Sequence, residues 1–213
     1  MILSRYYLLF MKSKRDLPER AIARLIEQLG CCAWGDAFAQ GLNPAQCTAL
    51  RYFGYANRFS RTVGAFARYH GTTRGTASQT VKALVDKGYL RRRPDQQDRR
   101  SFRLDLSAKA RRFLVDDPFH VLVSVAAVLP VERRSALANG LQLMLDRLLA
   151  ERGRPLFGVC TACTHLRAED RCLNSGSTYE CGLLEEPLSE GELAEICVNY
   201  EPARASQRGR IRA

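Results

Sequence analysis

The 213 residues are 46% hydrophobic and 26% charged, a composition that excludes global disorder and allows a packed core. The length suits one domain with a smaller module, or two small domains. No apolar run approaches the roughly 18 residues that a membrane helix needs, and the N-terminal apolar patch is too short for a secretory signal. A protein of the reducing cytoplasm, without a membrane partner, is therefore expected.

The formal net charge of +11 is unevenly distributed. Residues 58–112 contain 15 Lys and Arg against 4 Asp and Glu, whereas residues 155–203 contain 2 Arg against 9 acidic residues. A basic segment beside an acidic one favours a localised surface for a polyanion, with an ordinary solvated surface as the alternative.

The N-terminal region, residues 1–42, predicts a basic arm followed by a long helix. Apolar residues recur every three or four positions between Ala21 and Leu29, which is typical of an amphipathic helix. Pro18 suits the first turn, and Gly41 is a natural end. The apolar face is larger than a small domain needs to bury, so the helix is a candidate dimerisation element.

Residues 43–106 predict a helix-turn-helix followed by a hairpin. Asn43 is a helix cap with Pro44 at the first helical position. A short helix is expected after Ser60, and a further helix begins near Thr73. Beyond it, two short strands flank a polar loop, which is the pattern of a β-hairpin, or wing.

The remainder of the chain divides into helices and a cysteine-rich segment. Residues 107–152 predict helices separated by Pro118 and Pro130, the last of them leucine-rich and suited to dimerisation. Residues 153–203 form a Cys-rich module, and residues 204–213 a basic tail. The predicted fold class is mainly α with a small β-hairpin wing: a winged helix-turn-helix with dimerisation helices and a small metal-binding module.

Residues 73–87 have the composition of a DNA recognition helix. Hydroxyl, amide and cationic side chains on its outer face can meet base edges and phosphates in the major groove, although an ordinary polar face is the alternative. At the hairpin tip, an acidic residue can orient an arginine toward the minor groove. The candidate DNA-binding residues are Thr73, Arg74, Thr76, Ser78, Gln79 and Lys82 on the helix, and Asp98, Arg99 and Arg100 on the wing.

Residues 43–113 resemble the multiple-antibiotic-resistance regulator (MarR) family of winged-helix proteins. The matching segments are residues 42–46, 71–78, 84–90, 98–101 and 104–107. The Asp-x-Arg wing motif of the family falls on Asp98 and Arg100. With the flanking helices, the resemblance extends over residues 18–152.

The resemblance implies a homodimer with interlocking terminal helices. Such a dimer would bind a pseudo-palindromic operator in double-stranded DNA as a transcriptional regulator, with repression expected. Many members of the family also bind a small phenolic or aromatic effector. Trp34, Phe38 and Tyr52 are candidates for such a pocket, with core packing as the alternative.

An enzyme and a redox or electron-transfer protein are the two other function classes. The sequence shows no Ser/His/Asp set, carboxylate dyad or phosphate loop, so an enzyme is not expected. A redox or electron-transfer protein that uses the winged helix as a scaffold is the rival class. The basic wing argues against this rival class, because a protein that uses the winged helix only as a scaffold does not need a basic wing.

Five of the eight cysteines lie between Cys160 and Cys197. In a reducing compartment this cluster predicts a metal site before disulfides. Cys160 and Cys163 form a Cys-x2-Cys pair, and the other three follow singly. A zinc ribbon usually supplies a second close pair. The single cysteines therefore favour a 4Fe-4S iron–sulfur cluster, with structural zinc as the alternative.

The choice of ligands rests on two resemblances. The spacing of Cys160, Cys163, Cys181 and Cys197 is similar to that in high-potential iron–sulfur proteins. A subset of MarR-like regulators also ends in a comparable extension, with counterparts of residues 181–184 and 186–188 and of the final cysteine. These resemblances imply the four cysteines as ligands, with Cys172 as a substitute. A cluster there would make the regulator responsive to redox state or iron.

Overall fold

The computed structural model describes residues 17–34, 41–94, 102–168 and 179–203. The helices are α1 (Pro18–Trp34), α2 (Pro44–Tyr55), α3 (Val63–His70), α4 (Arg74–Asp86), α5 (Ala108–Val115), α6 (His120–Ala127) and α7 (Val131–Glu151). The strands are β1 (Leu90–Pro94), β2 (Phe102–Leu106), β3 (Gly158–Val159), β4 (Leu166–Ala168), β5 (Tyr179–Cys181), β6 (Glu186–Leu188) and β7 (Ile196–Cys197). Within these segments, no helix is long and apolar enough to cross a membrane.

Side-chain caps begin the helices of the winged-helix region. The Gln46 backbone N–H donates to the Asn43 side chain at 2.9 Å, and the Gln46 side chain accepts from the Asn43 N–H at 3.3 Å, which completes a capping box. The hydroxyls of Thr62, Thr73 and Ser107 cap α3, α4 and α5, each by accepting from the backbone N–H three residues later. The helix starts predicted at Asn43 and Thr73 are confirmed.

Two glycines end helices in the left-handed backbone conformation, which is disfavoured for other residues. Gly71 ends α3 with φ 62°, and Gly88 follows α4 with φ 74°. Each reverses the chain within one residue, so α3 leads directly into α4, and α4 leads into β1.

Helix α2 lies at the centre of the winged helix. Its neighbours α3, α4, α5 and β2 all contact it. The shared core contains Cys47, Leu50, Tyr52, Phe53, Phe66, Val81, Leu84, Leu90, Leu104 and Phe113. Tyr52 is 1% exposed, so it is a core residue and does not line an open pocket. Phe38 lies outside the described residues.

The hairpin is antiparallel, with Leu90 opposite Leu106 and Pro94 opposite Phe102. This register confirms the predicted wing strands. Leu104 is fully buried, because it faces α2 in the core. The tip between the strands, with Asp98, Arg99 and Arg100, lies outside the described residues.

Two helices present apolar faces outside this core. These side chains are 41–56% exposed: Ile22, Leu25, Ile26 and Leu29 on α1, and Leu137, Leu141, Met144, Leu145 and Leu148 on α7. Helix α1 contacts α6. Contiguous exposed apolar surface of this kind marks a protein–protein contact.

The C-terminal segment forms two small antiparallel sheets, β3–β7 and β4–β5–β6. It packs against the winged helix. Val198 joins the core around α2, and the Phe157 ring lies 5.1 Å from that of Tyr69 on α3. The two regions therefore share one continuous packing surface.

A buried ion pair ties α2 to the chain between α5 and α6. Arg51 donates to both carboxylate oxygens of Asp117, at 2.5 and 2.6 Å, and the side chains are 8% and 1% exposed. Burial acts to raise the pKa of Asp117, but the hydrogen bonds and charge of Arg51 hold that pKa below its ordinary value. The guanidinium also lies 4.3 Å from the centre of the Phe119 ring.

We expect Asp117→Asn to reduce the free energy of unfolding by about 3–5 kcal/mol at neutral pH, because it removes the carboxylate charge that offsets the buried Arg51 guanidinium. The folded-state pKa of Asp117 is lowered, so its contribution is present at neutral pH and is lost as the pH falls through that pKa. Urea unfolding at a series of pH values measures this. The control is Asp105→Asn, whose partner Arg93 is largely exposed and which should cost at most about 1 kcal/mol. Equal losses for both variants would contradict the prediction.

Candidate functional site

The outer face of α4 carries every helix residue predicted to contact DNA. Thr73, Arg74, Thr76, Ser78, Gln79 and Lys82 are all exposed. The opposite face buries Ala77, Val81 and Leu84 in the core. The helix is therefore held from behind, and its polar face is open to a partner.

The start of α4 is ordered by its own side chains. The Thr73 hydroxyl accepts from the Thr76 backbone N–H at 3.1 Å, and the two threonine hydroxyls lie 2.9 Å apart. The Thr80 hydroxyl donates to the Thr76 carbonyl at 3.1 Å. These bonds fix the first turn, where backbone N–H groups and the positive end of the helix dipole favour an anion such as a phosphate.

Strand β1 continues the basic surface from α4. Arg91, Arg92 and Arg93 are exposed. The Arg93 Nε lies 3.1 Å from a carboxylate oxygen of Asp105, and the Arg92 guanidinium lies 4.8 Å from the centre of the Phe102 ring. These contacts tie the Arg92 and Arg93 side chains of β1 to the neighbouring strand β2.

A second basic feature was missed from the sequence. An open cleft of about 500 Å³ lies between α3, the start of α4 and the chain after α7. Arg68, Arg74 and Arg154 line it, and Arg154 Nη2 donates to the Gly71 carbonyl at 3.3 Å. Arg154 is 83 residues from Gly71 along the chain, so no local pattern could have indicated this approach.

Four cysteines line a single small cavity in the C-terminal module: Cys160, Cys163, Cys181 and Cys197. The first two lie at the ends of one tight turn, in which the Cys163 N–H donates to the Cys160 carbonyl at 2.9 Å. The other two come from β5 and β7. Leu166 and Leu188 supply apolar walls, and His165 and Asn199 complete the lining. Cys172 lies outside the described residues.

The thiols in this cavity affect one another. Burial, followed by the neighbouring thiols of Cys197, Cys163 and Cys181, raises the pKa of Cys160 to about 12. Among the described residues, no group of three or more His, Cys, Asp and Glu side chains is arranged so that it could hold a metal ion. The cysteines therefore share a cavity without forming a closed single-ion site.

The module is attached to the basic region through charge pairs. Arg58 Nη1 donates to a Glu192 carboxylate oxygen at 2.5 Å, and Arg61 Nη2 lies 3.4 Å from Glu195. Both arginines belong to the basic segment 58–112, for which a polyanion-binding surface is the favoured prediction. Part of that positive charge is paired within the chain, which the sequence did not reveal.

Residues 40–101 match the model of the MarR family. No curated protein matches the chain. A solved MarR transcriptional regulator from Methanosarcina mazei Go1 is similar at 22% identity and a TM-score of 0.50, covering 64% of this chain and 99% of that one. The S. aureus MepR–DNA complex is similar at 16% identity and a TM-score of 0.54, again covering 64% and 99%. The transcriptional regulator SlyA is similar at 18% identity and a TM-score of 0.50, covering 62% and 94%.

These likenesses cover less than two thirds of the chain and show its fold. The mainly helical winged-helix architecture predicted from the sequence is confirmed. The chain has the winged-helix fold of MarR regulators, and its residues 40–101 match the MarR family.

Proposed function

We propose that this protein is a DNA-binding transcriptional regulator that acts as a homodimer on a pseudo-palindromic operator, with repression as the expected mode. The observation that carries the proposal is the outer face of α4, which presents six exposed polar side chains. Ala77, Val81 and Leu84 on the opposite face hold the helix against the core. A helix fixed from behind can enter a major groove without losing its own packing.

The basic groups around this helix support the same reading. Arg91 on β1 and Arg68 beside the start of α4 are exposed on neighbouring elements. Cations so placed can contact phosphates on both sides of the groove and set the register of the helix on DNA. Direct base contacts are then assigned to α4, and the minor-groove contact to Arg100.

The dimer is supported by the apolar faces of α1 and α7. Five apolar residues of α7, between Leu137 and Leu148, are spaced by three, one or four positions, so they lie on one side of the helix. A second copy presenting the same face would bury them, and a two-fold dimer would place two copies of α4 on successive turns of the duplex.

The cysteine cavity is proposed to hold an iron–sulfur cluster, bound by Cys160, Cys163, Cys181 and Cys197. The four residues fit this group in chemistry, because each supplies a sulfur to one cavity with apolar walls. A cluster supplies one-electron redox chemistry, so the regulator would respond to redox state or iron. The rival cofactor is structural zinc, for which the four thiols would have to move into a single-ion arrangement that they do not form in this structure. In that case the regulator would sense a small ligand.

For DNA binding, we expect Arg74→Ala and Arg100→Ala each to weaken binding to a duplex selected from random sequence, because each removes a contact to the DNA. The loss of a phosphate contact also reduces the slope of log affinity against log salt by about 0.9. Fluorescence anisotropy at several salt concentrations measures both effects. The matched control is Arg167→Ala, which removes one exposed arginine from the cysteine module. Equal effects of all three variants would indicate net charge alone.

For the dimer, we expect Leu141→Glu to convert the protein to monomers, because it places a charge in the centre of the apolar face of α7. Light scattering at several concentrations measures the oligomeric state. Asn139→Glu introduces the same side chain on the opposite face and should leave the dimer intact. A dimer that survives Leu141→Glu would exclude this face as the interface.

For the cofactor, we expect anaerobically purified protein to contain iron and inorganic sulfide and to show broad visible absorption. The variants Cys160→Ser and Cys197→Ser should lose most of both, because each removes a ligand. Cys172→Ser is the control and should retain them. Colourless protein with stoichiometric zinc would instead support the structural alternative.

A further inference from the structure

We propose that the turn between α2 and α3, residues 56–61, transmits the state of the cysteine site to the winged helix. This inference rests on the proposed cysteine site, and it concerns how that site acts. The contacts of residues 56–61 provide a route from β7 directly into the helix-turn-helix.

The turn holds β7 on both sides of Cys197. Ala56 pairs with Ile196 in a parallel bridge, and the Asn57 backbone N–H donates to the Ile196 carbonyl at 3.0 Å. On the other side, the Val198 backbone N–H donates to the Ser60 hydroxyl at 2.8 Å. Hydrogen bonds to Asn57 and Ser60 therefore fix the backbone on both sides of Cys197, the proposed ligand. A displacement of its sulfur must act on these two residues.

The side chain of Asn57 lies close to Cys197. Asn57 is fully buried, and its Oδ1 accepts from both the backbone N–H and the hydroxyl of Ser60, at 3.0 and 2.7 Å. Its buried Nδ2 donor has no hydrogen-bond partner within the described residues, and its backbone N–H is bonded to Ile196, the neighbour of Cys197. Hydrogen bonds to ligand sulfurs tune a cluster, and a metal-bound sulfur is the negative acceptor that this donor lacks.

Charged residues hold the outer side of the turn. Arg58 donates to Glu192 at 2.5 Å and to the Pro187 carbonyl at 2.6 Å. Arg61 lies 3.4 Å from Glu195. These contacts come from β6 and from the chain between β6 and β7, so the turn and the module move together.

The turn is connected in the other direction to the wing and the core. The Leu104 backbone N–H on β2 donates to the Arg61 carbonyl at 2.8 Å, and Arg103 donates to the Arg58 carbonyl at 3.4 Å. The Tyr52 hydroxyl donates to the Ser60 carbonyl at 2.8 Å. Loss of the cofactor would release β7 and loosen the turn, and the second wing strand would lose its fixed position. The cofactor-loaded protein is thus the form that binds DNA more tightly.

The test compares DNA affinity of the full chain with and without its cofactor, reconstituted anaerobically with iron and inorganic sulfide. In the wild type we expect loading to raise affinity at least about fivefold, the lower end of typical coupling between sites. Ser60→Ala, which removes the bond to Val198, and Asn57→Asp, which removes the Nδ2 donor, should bring the ratio close to one. Thr48→Val is the matched control, because it removes a buried α2 hydroxyl that makes no hydrogen bond in the described structure.

A second measurement keeps the proposal testable if a variant fails to fold. Hydrogen exchange of the loaded wild type is compared with that of Cys197→Ser. Faster exchange in residues 56–61 and at Leu104 of Cys197→Ser supports the proposal. Unchanged exchange there, or an unchanged affinity ratio in Ser60→Ala, overturns it.

Metal analysis of the same samples separates the two kinds of failure. Bound iron together with unchanged exchange and affinity ratio overturns the coupling alone. A wild type that takes up no metal overturns the proposed cofactor, and this inference with it.

Discussion

Helix α2 is largely buried, and α3, α4, α5, β2 and part of the C-terminal module pack around it. Cys47, Leu50 and Phe53 are fully buried, and Arg51 on the same helix is buried by its pairing with Asp117. A helix with both apolar and ionic buried faces must be enclosed by several elements at once. The recognition helix, the wing, the chain leading to α6 and the C-terminal module each cover one of its faces or its end. The positions of these elements are thus defined relative to α2.

The basic segment contains two groups of cations, one exposed to solvent and one paired with acidic residues of the C-terminal module. The basic middle of the chain contains exposed cations on α4 and β1, which are free to face a nucleic acid, and also Arg58 and Arg61, which contact acidic residues of the module. The acidic module is therefore a docking partner for one part of the basic segment. It leaves the surface proposed to face DNA unshielded, because the two sets of arginines lie on different elements.

The sequence predicted the elements whose signals are local. Asn43 with Gln46, Thr73 and Ser107 cap helices through contacts only three residues away, and Gly71 and Gly88 end helices through their own backbone angles. The alternation of apolar and polar residues between Phe102 and Leu106 likewise indicates strand β2 from neighbouring residues alone. The Arg154 cleft and the pairing of Arg58 with Glu192 could not be predicted, because their partners are far apart in the chain.

The sequence by itself determined the winged-helix order, the polar outer face of α4 and the choice of four cysteines as candidate ligands. Only the tertiary structure decided that these cysteines line one cavity and that this cavity lies against the α2–α3 turn. The physical reason is the separation of the contacts along the chain. Capping and periodicity act within a few residues, whereas the bond between Val198 and Ser60 spans 138 positions and forms only when the module folds back onto α2.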